Sequence, residues 1–324
     1  MKPFSLMSSF SLHEGVVHYH QTGARIRVDG GFVRDVATWL TYYVPLRVNA
    51  AARRLFKPGP RFFFTPSEPP PWYLVWNALA WIGARTAVRV QDADAIFYFE
   101  DATWSEGVAA SGKRPSINGA CTDVSKSYVA AVFADVFGRP LALDPEHYSG
   151  KAVEKGEANG AHDGRIIICP ASAEPGRVYQ RLIETGRNDY VEDLRTPCVG
   201  GEPVLVFVKQ RPKDDRFANY NTRVRLADPK DVFSADELAS IRLFLRRMRL
   251  DWGGLDILRD ASSGEIYIVD VNKTDMPPLA LPFWQKMAAS RKLGLALQSL
   301  LAKAPTAAED IPPAAEISVT QAQR

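Results

Sequence analysis

Residues 251–275 read DWGGLDILRDASSGEIYIVDVNKTD, and the acids inside this strand-like text constrain the chain more than any other feature. GLDILRD and EIYIVDVN are rich in Ile, Val and Leu, the composition of buried strands, yet Asp256 and Asp270 interrupt them. Burying an unpaired carboxylate costs several kcal/mol even after relaxation. The expected local structure is a hairpin over 254–272 with its turn around DASSGE, where Gly264 supplies permissive dihedrals. If Leu258 pairs with Ile268, pleating sets Asp256 opposite Asp270, with Asn272 on the same face as Asp270. Two carboxylates that close repel, and one stays protonated unless a cation sits between them. Oxygen-only donors of this kind suit Mg²⁺, which keeps several waters and is shared with substrate phosphates. The alternative is that each Asp pairs with a Lys or Arg from elsewhere. The stretch alone leaves both readings open.

The bulk numbers exclude more than they select. A chain of 324 residues holds one large or two to three small domains. With 46% hydrophobic and 24% charged residues it has the composition of a globular protein. A formal net charge of +3 gives no argument for a nucleic-acid partner, though it suits weak attraction to anionic ligands. Cys121, Cys169 and Cys198 are far apart and form no CxxC or Cys/His cluster. Neither a disulfide framework nor a zinc site is expected, and a reducing cytoplasm is the expected location. The N-terminal MKPFSLMSSFSLHEG lacks the sustained apolar run of a secretory signal. The longest apolar run, WYLVWNALAWIG from Trp72, is shorter than the roughly 20 residues needed to span a bilayer. It is expected to be a buried helix, with no stable membrane insertion; membrane-surface contact by it, or by VATWLTYYVPLRVNAAARRLF (36–56), is the alternative.

Along the chain, GVVHYH and ARIRVDG are short strand candidates, followed by an amphipathic stretch ending in KPGP. FFFT, the loop PSEPPP, the apolar helix, TAVRV and AIFYFED then make a strand, loop, helix, strand, strand order, which predicts a small α/β unit at about 60–105. Thr122 or Asp123 is expected to cap a helix running through Phe137, with Gly138 placed to stop it. Strand candidates follow at KAVEK, RIIICP, RVYQRLI and PVLVFVKQR. SADELASIRLFLRRMRL (234–250) opens on a capping box, Ser234 with Glu237 three residues on. Its basic cluster is expected to be a solvated face. The Ala/Pro-rich tail from 304 is expected to be disordered. No internal repeat is present.

A bound nucleotide needs cations on its phosphates and a small-residue loop over them. Lys155 ends KAVEK and is followed by GEANGAHDG, a loop with three glycines. Neither GxxxxGK[ST] nor GxGxxG is present, which disfavours Walker and Rossmann phosphate binding. Lys155, Arg195 in EDLRTPCVGGE, and Lys209 and Arg211 in VFVKQRP each lie inside or just beyond a strand. Together they form a stronger signal than any one alone, each of which would otherwise be a surface charge.

The order of these pieces over about residues 117–300 resembles the ATP-grasp superfamily, which includes D-alanine–D-alanine ligase, glutathione synthetase and the ribosomal-protein glutamate ligases. KAVEKGEANGAHDG looks like the family's strand-end lysine and glycine-rich loop, with Lys155 as that lysine. Lys126 in TDVSKSYV matches an earlier phosphate-touching lysine by position. RVYQRLI looks like the hinge strand that binds adenine through its backbone, pointing to Gln180, Arg181, Leu182 and Ile183. DLRTPCVGGEPVLVFVKQRP fits the family's Asp–x–Arg strand, glycine turn and basic-ended strand, giving Arg195, Lys209 and Arg211. GLDILRDASSGEIYIVDVNKTD is similar to the closing metal-binding element, giving Asp256, Asp270 and Asn272, and Asn221 in FANYNTRV corresponds to a phosphate-proximal Asn. Asp270 departs from the commoner Glu, and KTDMPP departs from the short Ser/Pro-Gly loop that faces the acyl acceptor in many ligases.

The resemblance implies an α/β (α+β) ATP-grasp fold, two α/β subdomains clasping the nucleotide. The implied domains are an N-terminal region with a small pre-grasp domain (1–116), the ATP-grasp domain (117–303) and a tail (304–324). It implies ATP and Mg²⁺ as cofactors, two ions with Mn²⁺ as an alternative. It implies small-molecule or peptide carboxylate and amine substrates, and a homodimer is an open option. The implied reaction is ADP-forming carboxylate–amine ligation through an acylphosphate. Lys155 and Lys209 would offset transition-state charge, Arg211 would stabilise the acylphosphate or oxyanion, and the loop with His162 would close over phosphate or substrate. A phosphotransferase acting on a hydroxyl and a non-catalytic nucleotide-binding protein are the alternatives.

Overall fold

The computed structural model describes residues 9–20, 24–111, 114–160, 163–186, 189–215 and 222–303. His162, Asn221 and the 304–324 tail lie outside them. In chain order, the strands are β1 (Phe10–His13), β2 (Val16–Tyr19), β3 (Ala24–Arg27), β4 (Arg61–Pro66), β5 (Arg85–Thr86), β6 (Ala95–Phe99) and β7 (Ser116–Ile117), then β8 (Gly150–Gly156), β9 (Arg165–Cys169), β10 (Arg177–Arg181), β11 (Tyr190–Val199), β12 (Glu202–Pro203), β13 (Val206–Pro212), β14 (Arg223–Ala227), β15 (Trp252–Arg259) and β16 (Ile266–Asn272). The main helices are α1 (Gly30–Phe56), α2 (Leu74–Trp81), α3 (Lys126–Phe137), α4 (Ala235–Arg247) and α5 (Phe283–Ala302). The fold is α+β.

The chain forms two compact units. One comprises the described residues within Met1–Asp101, Gly107–Gly119 and Thr274–Lys303. Its four-stranded sheet has the order β5-β4-β6-β7, every pair parallel. The central strand β6 is AIFYF, buried at every residue, because a parallel strand covered on both faces has no solvent side. TAVRV contributes only Arg85–Thr86 to that sheet. The apolar helix α2 is buried along most of its length, as expected, and α5 packs against it. A separate antiparallel meander, β1-β2-β3, completes the unit.

The other unit comprises Ala102–Glu106 and Ala120–Lys273. It holds a three-stranded antiparallel sheet, β10-β8-β9, and a larger antiparallel sheet, β14-β13-β11-β15-β16, with β12 on β11. On one face of the larger sheet, Leu194, Val208, Leu255, Ile257, Ile268 and Val271 pack with Phe133 of α3 and Ile241, Phe244 and Leu245 of α4. The Ser234–Glu237 capping box opens α4 as its sequence predicts. Helix α3 is capped by Ser125, not by Thr122 or Asp123. Asp123 instead accepts the Ser125 N–H at 2.7 Å, which orients the turn, and Ser125 Oγ accepts the Tyr128 N–H. Gly138 ends the helix at φ 68°, a left-handed closure that suits glycine.

Among the described residues no helix is long and apolar enough to cross a membrane. All three cysteines are buried thiols.

Candidate active site

The hairpin of β15 and β16 forms, with Gly264 at φ 75° in its turn. Asp256 pairs directly with Asp270, and Gly254 with Asn272. The register beyond them departs from the sequence expectation: Leu258 opposes Tyr267, Ile257 opposes Ile268, and Val269 is a bulged residue without a register partner. The bulge has a packing cause. Ile268 and Val271 are both fully buried in the core, although strict alternation would send them to opposite faces. One extra residue lets both point inward while Asp270 keeps the other face.

That other face collects the polar residues. Arg195 lies opposite Asp256 on the neighbouring strand, and its Nη1 donates to Asp256 Oδ2 at 2.5 Å. Lys209 lies opposite Asp193, and Arg211 Nη2 donates to Asp193 Oδ2. Because β11 reads Asp193–x–Arg195, both side chains share a face. Burial works against the charge on Asp256, but Arg195, Lys209 and Arg211 outweigh it and hold its carboxyl below the usual range. Asp270 behaves oppositely. Burial and the nearby Asp256 push its carboxyl up, despite Lys155, Lys126 and Arg195. Its Oδ1 is buried with no hydrogen-bond partner among the described residues.

Lys155 reaches this face from the smaller sheet. It sits on β8, and its Nζ donates to the carbonyl of the bulged Val269 at 2.9 Å. Burial lowers its amine to about 8, with Asp270 pulling the other way and Lys126 adding to the drop. Lys126, the first residue of α3, is buried and donates to Ala158 O at 2.7 Å. Past β8 the loop is tied down at several points. Glu157 accepts from the N–H and hydroxyl of Ser127, the Asn159 N–H donates to Thr103 Oγ1 at 2.8 Å, and the Asp163 carboxylate accepts the Gly156 N–H.

The residues expected to form the hinge, Gln180 to Ile183, lie where β10 ends. Gln180 opposes Val153 of β8 and is 2% exposed, its Nε2 without a hydrogen-bond partner among the described residues. The Arg181 N–H is taken by Leu141 O at 2.9 Å, Leu182 follows the strand, and the Ile183 side chain joins the core. Beyond Asn272, Lys273 is buried, and its Nζ donates to Ser105 Oγ at 2.8 Å.

Thus Lys126, Lys155, Arg195, Lys209, Arg211, Asp256 and Asp270 come together, as the interactions among them show. His162 and Asn221 lie outside the described residues. Sequence reading used Asp193 only as part of the Asp–x–Arg strand and not as the anchor of Arg211, and it did not single out Glu157, which ties the loop to α3. The first had a signal in its i, i+2 spacing from Arg195; the second had none.

No protein-family model matches the chain, and no curated protein matches it. Among solved structures, the ATP-grasp ligase PsnB complexed with a phosphomimetic variant of its minimal precursor, Mg and ADP is 15% identical, over 58% of this chain and 61% of that one, with a TM-score of 0.40. The RimK domain protein ATP-grasp from Sphaerobacter thermophilus DSM 20745 is 12% identical over 75% of this chain and 99% of that one, TM-score 0.44. D-alanine–D-alanine ligase from Bacillus anthracis, complexed with ATP, is 11% identical over 75% and 96%, TM-score 0.43. The chain is similar to ATP-grasp ligases. It spans about three fifths of the length of PsnB.

Proposed function

We propose that this chain is a Mg·ATP-dependent ATP-grasp ligase that activates a carboxylate as an acylphosphate and joins it to an amine. The observation that carries the proposal is the facing pair Asp256 and Asp270, one oxygen of it buried without a partner, ringed by Lys126, Lys155, Arg195, Lys209 and Arg211. Cations in excess around two carboxylates suit a polyphosphate that arrives with a divalent ion. The donor set is all oxygen, which fits Mg²⁺. Among the described residues no group of three or more His, Cys, Asp and Glu is gathered to hold a metal by itself. Mg²⁺ takes one or two carboxylates and completes its shell with water and phosphate oxygens. Asp256, Asp270 and Asn272 would hold it. Bound there, the ion would neutralise charge on the β- and γ-phosphates.

The chain's own groups do the rest by position and charge. Lys155 and Lys126 bring ammonium groups from outside the large sheet to its polar face, where phosphate oxygens would replace the carbonyls of Val269 and Ala158 as acceptors. Lys209 offsets the charge of the transferring phosphoryl group. Arg211, oriented by Asp193, is set to stabilise the acylphosphate oxygens. Arg195 keeps Asp256 ionised and so keeps it a donor. Backbone groups at the end of β10, from Gln180 to Ile183, would meet the adenine. The loop after Lys155 would exclude water that hydrolyses the intermediate.

The test is product analysis with Mg·ATP across a panel of carboxylic acids and amines. The expected outcome is ADP and phosphate formed only when an acid and an amine are both present, with an amide product. A phosphorylated hydroxyl compound without free phosphate would replace ligation by kinase activity. Tight nucleotide binding without turnover across the panel would leave a binding protein.

A further inference from the structure

The first unit carries a feature unrelated to the phosphate-facing residues. Helix α1 has 27 residues and buries only one side. Tyr42, Leu46 and Ala50 pack with Ala80, Trp39, Trp76, Trp81, Phe283 and Met287. On the opposite side Val33, Val36, Leu40, Val44, Val48 and Leu55 are all exposed, Leu55 at 78%, and Phe56 at the helix end is 87% exposed. At 3.6 residues per turn these six stripe positions fall within about 60° of one line along the helix, which is roughly 35 Å long from Val33 to Phe56. Single exposed apolar residues are ordinary; a continuous stripe is not.

The charges beside the stripe have one sign. Arg34 lies on one flank, Arg54 at the opposite edge and Arg47 within the sector of the stripe itself, while Arg53 in the last turn points away from it. The only acid within the helix, Asp35, points about 160° away from the line of the stripe at 100° per residue. Among the described residues no carboxylate pairs with Arg34, Arg47, Arg53 or Arg54. Arg54 instead donates to Ala84 O at 2.9 Å, and partial burial, then Arg47 and Arg85, lower its pKa.

We infer that this face of α1 is a membrane-surface site that binds anionic lipid headgroups, with the apolar stripe seated at the acyl boundary. An amphipathic helix with cations beside a long apolar stripe lies in the interface plane, held by buried apolar area and by attraction to anionic lipid. A second copy of the chain fits the same surface poorly. In either direction of pairing the two faces offer each other arginines and no carboxylate, so association would bring cations together with no opposite charge to offset them. Like charges so juxtaposed oppose association. An anionic surface turns the same arginines into attractive contacts.

The full chain would be tested by co-sedimentation with vesicles of neutral phosphatidylcholine and with vesicles containing about 30% phosphatidylglycerol or phosphatidylserine. The expected result is binding to the anionic vesicles at least tenfold tighter than to neutral ones, weakening as salt is raised. The double variant Leu40→Glu with Val44→Glu should lose about tenfold or more of that binding, and Arg34→Glu with Arg47→Glu should lose the anionic preference. Circular dichroism and the thermal transition of each variant should match the parent, because these side chains are exposed. Equal binding of parent and variants, or no binding to anionic vesicles, would overturn the inference. So would a dimer in light scattering that the Leu40→Glu/Val44→Glu variant dissociates, since the stripe would then be covered by a second copy.

Discussion

Asp256 and Asp270 stand opposite each other across β15 and β16, and their surroundings drive them in opposite directions. Arg195 bonds Asp256 and helps hold its carboxyl low, whereas burial pushes that of Asp270 up. The charge on Asp256 therefore favours the folded state, and the charge on Asp270 opposes it. Asp256→Asn should lower stability by about 1–3 kcal/mol, since it leaves Arg195 facing a neutral amide. Asp270→Asn should leave the thermal transition unchanged or raise it. On the proposed function, both should cut Mg·ATP-dependent turnover by about 100-fold or more, because each takes away a carboxylate donor to the ion. Thermal melts and ADP release measured on both variants check the pair. A destabilised Asp270→Asn would mean that its carboxylate has a structural partner.

Lys155 should separate binding from folding in the same way. Its amine is lowered to about 8, chiefly by burial, so its charge is a cost to the protein alone. Lys155→Met should keep the fold and weaken nucleotide binding about 10–100-fold, the value of one hydrogen bond to a charged group. Calorimetric titration with Mg·ATP measures it. Equal affinity in the variant would remove Lys155 from the phosphate site.

Much of this face was legible because strand pleating is simple. Asp256, Asp270 and Asn272 alternate with core residues over a short hairpin, and the turn carries its own glycine signal. The basic residues at 195, 209 and 211 likewise sit at alternate strand positions, next to the core residues Leu194 and Val208 in the first two cases. The Val269 bulge was not legible. It arises because Ile268 and Val271 both fit the space beneath α3 and α4, a packing fact spread over distant elements. The cap of α3 was misjudged for a related reason: Thr122, Asp123 and Ser125 all suit an N-cap, and the Asp123 turn selects Ser125. The exposed stripe of α1 could be read only as an amphipathic pattern, because the sequence does not say which side of a two-sided helix finds a partner.

Glu157 ties the loop after β8 to the start of α3, where a carboxylate also meets the positive end of the helix dipole. Glu157→Ala should cost about 1 kcal/mol. It should also speed amide exchange at Asn159 and Gly160 by about tenfold at most, because Thr103 and Lys126 still hold the loop. Exchange that is unchanged would assign the loop's order to those two contacts alone.

Glu154 gives the pH test. It is 3% exposed and accepts from Arg165 and Arg177 across the β10-β8-β9 sheet. Burial opposes its charge, but the two guanidinium groups prevail and its carboxyl lies below the ordinary glutamate range. A carboxyl depressed by folding stabilises the protein above its unfolded pKa, and that contribution is lost as pH falls through the folded value. Glu154→Gln should therefore destabilise by about 1–3 kcal/mol at pH 7. The gap between variant and parent should narrow as the pH drops below the unfolded glutamate pKa of about 4.3. Urea unfolding of both proteins at neutral and acidic pH measures that gap. A gap independent of pH would show that the Gln side chain disturbs packing, because only a titrating carboxylate can make the difference close with acid.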